Sequence, residues 1–152
     1  MMSPLTRSDV QKYIDEHIGE FHASRLASLG TIRLEQIFKQ KNPYLYKAKD
    51  IDAPDQLARS LMDARLSSQE EGIFGNFLER LASFMCANAY GGYKSGATGI
   101  DIEMEKDGIR YAIAVKSGPN WGNSSQVKQM IANFQEYRRK VATSGHRIQV
   151  EF

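Results

Sequence analysis

The sequence predicts an α/β chain in which an N-terminal helical region precedes a core of the order helix, three strands, helix, strand. Three observations carry this. Residues 96–116, GATGIDIEMEKDGIRYAIAVK, alternate in polarity on both sides of Asp107-Gly108, the kind of dipeptide that marks a two-residue hairpin turn. Before that stretch apolar residues recur at helical intervals. After it a helical stripe gives way to the alternating run of residues 146–152.

Taken in order, Ser8-Asp9-Val10-Gln11 has capping-box spacing, and Val10, Tyr13, Ile14, Ile18 and Phe21 follow on one side of a helix expected over residues 9–29. A short helix over residues 32–39 ends before Lys41-Asn42-Pro43, because proline disfavours helical geometry in the residue before it. Tyr44 and Tyr46 then interleave with Lys47 and Lys49; packing against neighbouring helices is the favoured reading over contact with nucleic acid. Pro54 opens a helix to about residue 66, with Leu57, Leu61 and Met62 on one side. Ser67 or Ser68 caps a longer one, whose Ile73, Phe74, Phe77, Leu78, Leu81, Phe84 and Met85 suit a central helix. The break divides the chain into an N-terminal helical region, 1–66, and a core, 67–152, packed as one domain.

GGYK, residues 91–94, supplies a short first strand before the hairpin. Gly96 and Gly99 let the backbone pass close to a phosphate or a neighbouring strand. Ser124 or Ser125 begins a helix to about residue 142, with Val127, Met130, Ile131, Phe134, Tyr137 and Val141 as its stripe. Gly145 breaks it, and Ile148, Val150 and Phe152 alternate along a last strand. The chain stops on that strand's final apolar residue, so a C-terminal part is expected to be missing.

At 152 residues and a net charge of +2, the composition is that of one ordinary globular domain. No apolar run reaches membrane-span length and the start, MMSPLTRSDVQ, lacks a signal-peptide pattern, which makes a cytoplasmic protein with no membrane partner the expectation. The single cysteine, Cys86, lies among apolar helical neighbours and reads as a buried structural thiol. His17, His22 and His146 form no zinc spacing with it, and His17 and His22 read as surface or packing residues. From Lys116 onward six basic residues stand against two acids, a local excess that suits a polyanion, although Arg138 to Lys140 taken alone read better as a favourable helix end.

The hairpin turn sets a register in which paired residue numbers sum to 215, placing Glu103 opposite Ala112 and Asp101 opposite Ala114. One face then carries Ile102, Met104, Tyr111, Ile113 and Val115. The other carries Asp101, Glu103, Glu105, Arg110 and Lys116. Ala112 and Ala114 leave space beside two carboxylates, where a magnesium ion with its waters would fit and Lys116 would orient one of those waters. An ordinary solvated strand face explains the same charges equally well.

The succession GID ending at Asp101, then IAVK ending at Lys116, after the helix GNFLERLASF, resembles the PD-(D/E)XK nuclease superfamily. Within it, KNPYLYKAKDI and VKSGPNWGNSSQ are similar to type II restriction endonucleases of the PmeII kind. The resemblance implies a restriction-endonuclease-like core, Mg²⁺ as cofactor, double-stranded DNA as partner, and a homodimer when full-length, since two strands need two sites. It implies catalytic roles for Asp101 and Lys116, and for Glu79, which in the family points from the helix into the metal site. Without the family, Glu79 next to Arg80 reads as helix surface.

One position departs from the pattern: the second acid, two residues before the lysine, is Ala114. Three readings stay open, namely a carboxylate supplied by Glu103 from the neighbouring strand, an engineered inactive variant, and a degenerate nuclease. The metal ligands are accordingly Asp101 with Glu103 or Glu79. In the following loop and helix start, Ser117, Asn120, Trp121, Asn123, Ser124, Gln126 and Lys128 are the candidate DNA contacts, by donation to phosphates and base edges. The alternative there is a turn-rich loop whose Trp121 folds back on the core. The function expected is a Mg²⁺-dependent type II restriction endonuclease. Its rivals are a non-catalytic DNA-binding module and a repair or structure-selective nuclease.

Overall fold

The computed structural model describes residues 4–33, 35–36, 39, 42–51, 53–118, 121–142 and 147–149. Its elements are α1 (Arg7–Gly30), α2 (Pro43–Lys47), α3 (Pro54–Tyr90), β1 (Tyr93–Lys94), β2 (Ile102–Lys106), β3 (Ile109–Ile113), α4 (Ser124–Ala142) and β4 (Arg147–Gln149). From α3 onward this is the expected order of helix, three strands, helix, strand, and among the described residues only helices precede it. Met1–Glu16 and Gly75–Phe152 form one compact unit and His17–Phe74 another.

In the unit His17–Phe74, Leu61 is fully buried and packs with buried Tyr46 and with Ile32, Ile51 and Leu57. Tyr46 reaches this cluster from α2, a helix absent from the sequence reading. Pro43 opens it with a φ already suited to a helix, and Asn42 caps it by accepting the Tyr44 N–H (3.0 Å). Tyr44 points away and is 77% exposed. Arg25 pairs with Glu70, and Phe21 meets Phe74 edge to face at 5.6 Å. Of the helix expected over residues 32–39, residues 35, 36 and 39 are helical, and residues 34, 37 and 38 lie outside the described residues.

Two helix boundaries differ from expectation. The cap of α1 is Thr6: its hydroxyl accepts the Asp9 N–H (3.2 Å) while the Asp9 carboxylate accepts the Thr6 N–H (2.9 Å), a reciprocal box that starts two residues before the one read at Ser8. At Ser67-Ser68 no break occurs, and α3 runs on from Pro54 to Tyr90. Both serines are exposed and flanked by strong helix formers, so continuing the ladder keeps backbone groups paired that a new N-terminus would orphan.

In the unit that holds the sheet, the strands lie in the order β1-β2-β3-β4, antiparallel across the first two junctions and parallel at the last. The hairpin register is the predicted one, from Lys106↔Ile109 to Ile102↔Ile113, and Asp107 and Gly108 both have positive φ (53° and 73°), as a type I′ turn requires. The apolar face, with Ile102, Met104, Ile113 and Val115, lies against Ala82, Met85 and Cys86 of α3, around a cavity of about 640 Å³ that Pro4 and Leu5 also line. Cys86 is buried, its Sγ 3.6 Å from Met104 Sδ, and burial pushes its thiol pKa up. On the opposite face, Ala112 and Ala114 pack against Ile100 and the buried α4 residues Phe134, Tyr137 and Val141. This corrects the reading of the two alanines. The room they leave is occupied by α4 rather than open to a hydrated ion.

Candidate active site

Asp101 stands just before β2, where the chain arrives from the turn of residues 95–101. Its backbone N–H donates to the Ile113 carbonyl (2.8 Å) and its carbonyl accepts the Ser95 N–H (3.0 Å). Its carboxylate spans to the neighbouring strand's extension, where Oδ2 accepts the Val115 N–H (2.7 Å) and lies 3.8 Å from Lys116 Nζ. Lys116 Nζ also sits 5.4 Å from the centroid of the half-buried Trp121 ring. Acid, ammonium and indole thus meet at the end of the hairpin away from its turn. Trp121 meets Lys116, whereas the sequence reading that turned it away from DNA had it folding back on the core.

Glu79, half-buried on α3, is 3.4 Å from Lys94 Nζ of β1. Its neighbour Arg80 is exposed. Glu103 lies on the α4 side of the sheet and is 8% exposed. Its Oε1 accepts the Ser95 hydroxyl (2.5 Å), and its Oε2 accepts Tyr137 (2.6 Å) and Tyr93 (3.1 Å). Burial by itself would raise the Glu103 pKa, but the bonds from Ser95, Tyr137 and Tyr93, with the charge of Arg110, outweigh it and hold the carboxyl below its usual range. The same contacts act oppositely on the phenols: burial first, then the Glu103 carboxylate, raises both Tyr137 and Tyr93.

Asp101 and Lys116 are therefore brought together, whereas Glu103, two residues further along the same face, is turned into a ring of hydroxyls, and Glu79 engages Lys94. Among the described residues no group of three or more His, Cys, Asp or Glu is arranged around a metal position. A magnesium ion does not require one, since it takes one or two carboxylates and completes its shell with water and phosphate oxygens. Asp101 fits that demand. It is a hard oxygen donor whose Oδ1 lies outside the hydrogen bonds and ion pair just given.

Of the expected DNA contacts, Ser117 is exposed and sits against α3 where Gly75 has no side chain; a Cβ there would lie 3.1 Å from the Ser117 hydroxyl. Asn123 and Gln126 hold the start of α4. Asn123 Oδ1 accepts the Gln126 N–H (3.0 Å) and Gln126 Oε1 accepts the Asn123 N–H (2.9 Å). The signal was legible as Asn-x-x-Gln, the amide form of a capping box, one residue before the serines read as the helix start. Ser124 and Lys128 are exposed on α4, and Asn120 lies outside the described residues. Residues missed by the sequence reading are Tyr93, Ser95 and Tyr137, whose hydroxyls surround Glu103.

A core of helix, three strands, helix and strand, with an N-terminal helical region before it, places the chain in the restriction-endonuclease-like class of α/β proteins. The model of one family, type II restriction endonuclease EcoO109I, matches residues 8–152, and the chain belongs to that family. Comparison with curated proteins and with solved structures gives no match. Among the described residues no helix is long and apolar enough to cross a membrane.

Proposed function

We propose that the protein is a Mg²⁺-dependent, site-specific endonuclease that hydrolyses phosphodiester bonds of double-stranded DNA, of the PD-(D/E)XK type. The observation that carries this reading is the Asp101–Lys116 pair, 3.8 Å apart at the open end of the hairpin. Asp101 would hold the metal, with Glu79 as the second carboxylate. Bound magnesium supplies charge stabilisation at the phosphorus and the leaving oxygen. Lys116, held between Asp101 and Trp121, positions the attacking water and offsets negative charge on the phosphate. Hydrolysis leaves a 5′-phosphate. Ser117, Asn123, Ser124, Gln126 and Lys128 are exposed candidates for the DNA backbone, and a twofold dimer would present one site to each strand.

Incubation of the protein with plasmid DNA and Mg²⁺ tests this. Discrete fragments support a site-specific enzyme, and a smear or cutting confined to distorted DNA points to a structure-selective nuclease instead. Ala114 favours a second reading, a DNA-binding module without catalysis: the position of the missing acid is packed against the α4 cluster. Binding without cutting at any Mg²⁺ concentration would select it. In both readings the basic excess after Lys116 makes DNA affinity fall with salt. The slope is expected to be about 0.9 in log affinity per log salt for each phosphate contacted, and a flat response would remove DNA as the partner.

A further inference from the structure

We propose that Glu103 is a positioning residue for the Asp101–Lys116 pair and not a metal ligand, an inference that rests on the catalytic reading of that pair. Both Glu103 oxygens already accept hydroxyl hydrogens, and the side chain is buried. A metal at Glu103 would have to displace these hydroxyls, and Tyr137, itself buried, would lose its acceptor. The bonds that Glu103 makes run straight to Asp101. Ser95 donates its hydroxyl to Glu103 (2.5 Å), accepts the Ala97 N–H on the same oxygen (3.0 Å), and donates its backbone N–H to the Asp101 carbonyl (3.0 Å). The turn of residues 95–101 is thereby clamped where it delivers Asp101. Through Tyr137 the same carboxylate ties α4 to the sheet, and α4 begins three residues after Trp121, which lies over Lys116. One buried carboxylate therefore fixes both sides of the pair.

The test compares Glu103→Gln, Ser95→Ala and Asp101→Asn in the full chain, with three readouts: cleavage against Mg²⁺ concentration, calorimetric titration with Mn²⁺, and emission of Trp121, the only tryptophan. Glu103→Gln and Ser95→Ala are expected to lower kcat by up to about 100-fold, the scale of a misplaced reacting group. They leave the Mg²⁺ requirement and the Mn²⁺ affinity as in the parent, and both shift Trp121 emission. Asp101→Asn loses Mn²⁺ binding. If Glu103→Gln weakens Mn²⁺ binding as Asp101→Asn does, Glu103 is a ligand and the proposal is overturned; unchanged kcat and emission overturn it as well. Should the parent bind Mn²⁺ but not cut, or bind no Mn²⁺, the catalytic reading fails by itself. The emission of Trp121 in the two variants then decides whether Glu103 sets the geometry of the pair. Should Glu103→Gln not fold, Ser95→Ala carries the same comparison, since it removes the clamp without touching an acid.

Discussion

The two ends of the α4-facing side of the hairpin, two residues apart in sequence, are built in opposite ways. Around Glu103 the carboxylate is buried, both oxygens are bonded to hydroxyls, and a helix closes over it. Around Asp101 the carboxylate is partly exposed, one oxygen is bonded, and the nearest cation is itself exposed. The same residue chemistry on the same face thus serves cohesion at one end and leaves capacity for a ligand at the other. What decides between them is the reach of α4, because a carboxylate under a helix must be satisfied by protein donors and one beyond its edge need not be.

The largest expected effect breaks the open end. Asp101→Asn, which keeps an oxygen for the Val115 N–H, and Lys116→Ala should each lower plasmid cleavage by about 10²–10⁴-fold, with unfolding by urea little changed. At the closed end the order is reversed in kind: Glu103→Ala leaves the Tyr137 and Ser95 hydroxyls without their acceptor and should lower stability by about 3 kcal/mol, read as a shift in the urea midpoint. A stability loss from Asp101→Asn as large as that from Glu103→Ala would erase the contrast.

A smaller effect belongs to Gly99, which brings the chain past α4 toward the open end. Its φ is +75°, and a Cβ would come within 2.1 Å of Asn133 Nδ2. Gly99→Ala should cost about 1–3 kcal/mol by urea unfolding, and a neutral result would mean that this turn yields easily. The smallest effect is on pH dependence. Because the Glu103 pKa is lowered in the folded state, its contribution is present above the unfolded carboxyl pKa, about 4.3, and is lost as pH falls through the depressed folded value. Urea unfolding of the parent should weaken over that acid window more steeply than that of Glu103→Gln; parallel curves would show that another acid carries the effect.

The hairpin was legible because a single dipeptide determines its backbone: Asp107-Gly108 accepts two positive φ values, and alternation then assigns every side chain to a face. Alternation says which residues share a face but not what covers it. For that reason Ala112 and Ala114 read as room for an ion, when small residues are equally what a closely packed helix needs. The apolar stripe Phe134, Tyr137 and Val141 required some such surface, and the two alanines were the available one. The location of Glu103 followed from register, whereas its partners lie 8, 10 and 34 residues away, distances at which no local pattern speaks. The break expected at Ser67-Ser68 failed for a different reason. A capping residue is only a permission to start a helix, and the helix already under way prevailed.

The parallel pairing of β4 with β3 has a consequence for the order in which the sheet is assembled. β2 and β3 are joined by two residues and can close in microseconds, whereas β4 finds Ile109, Arg110 and Tyr111 only after the whole of α4 has been traversed. The edge of β3 therefore waits unpaired until the segment that follows α4 returns. During synthesis that edge stays open until β4 has left the ribosome, and the interval is when a second nascent chain can pair with it in place of β4.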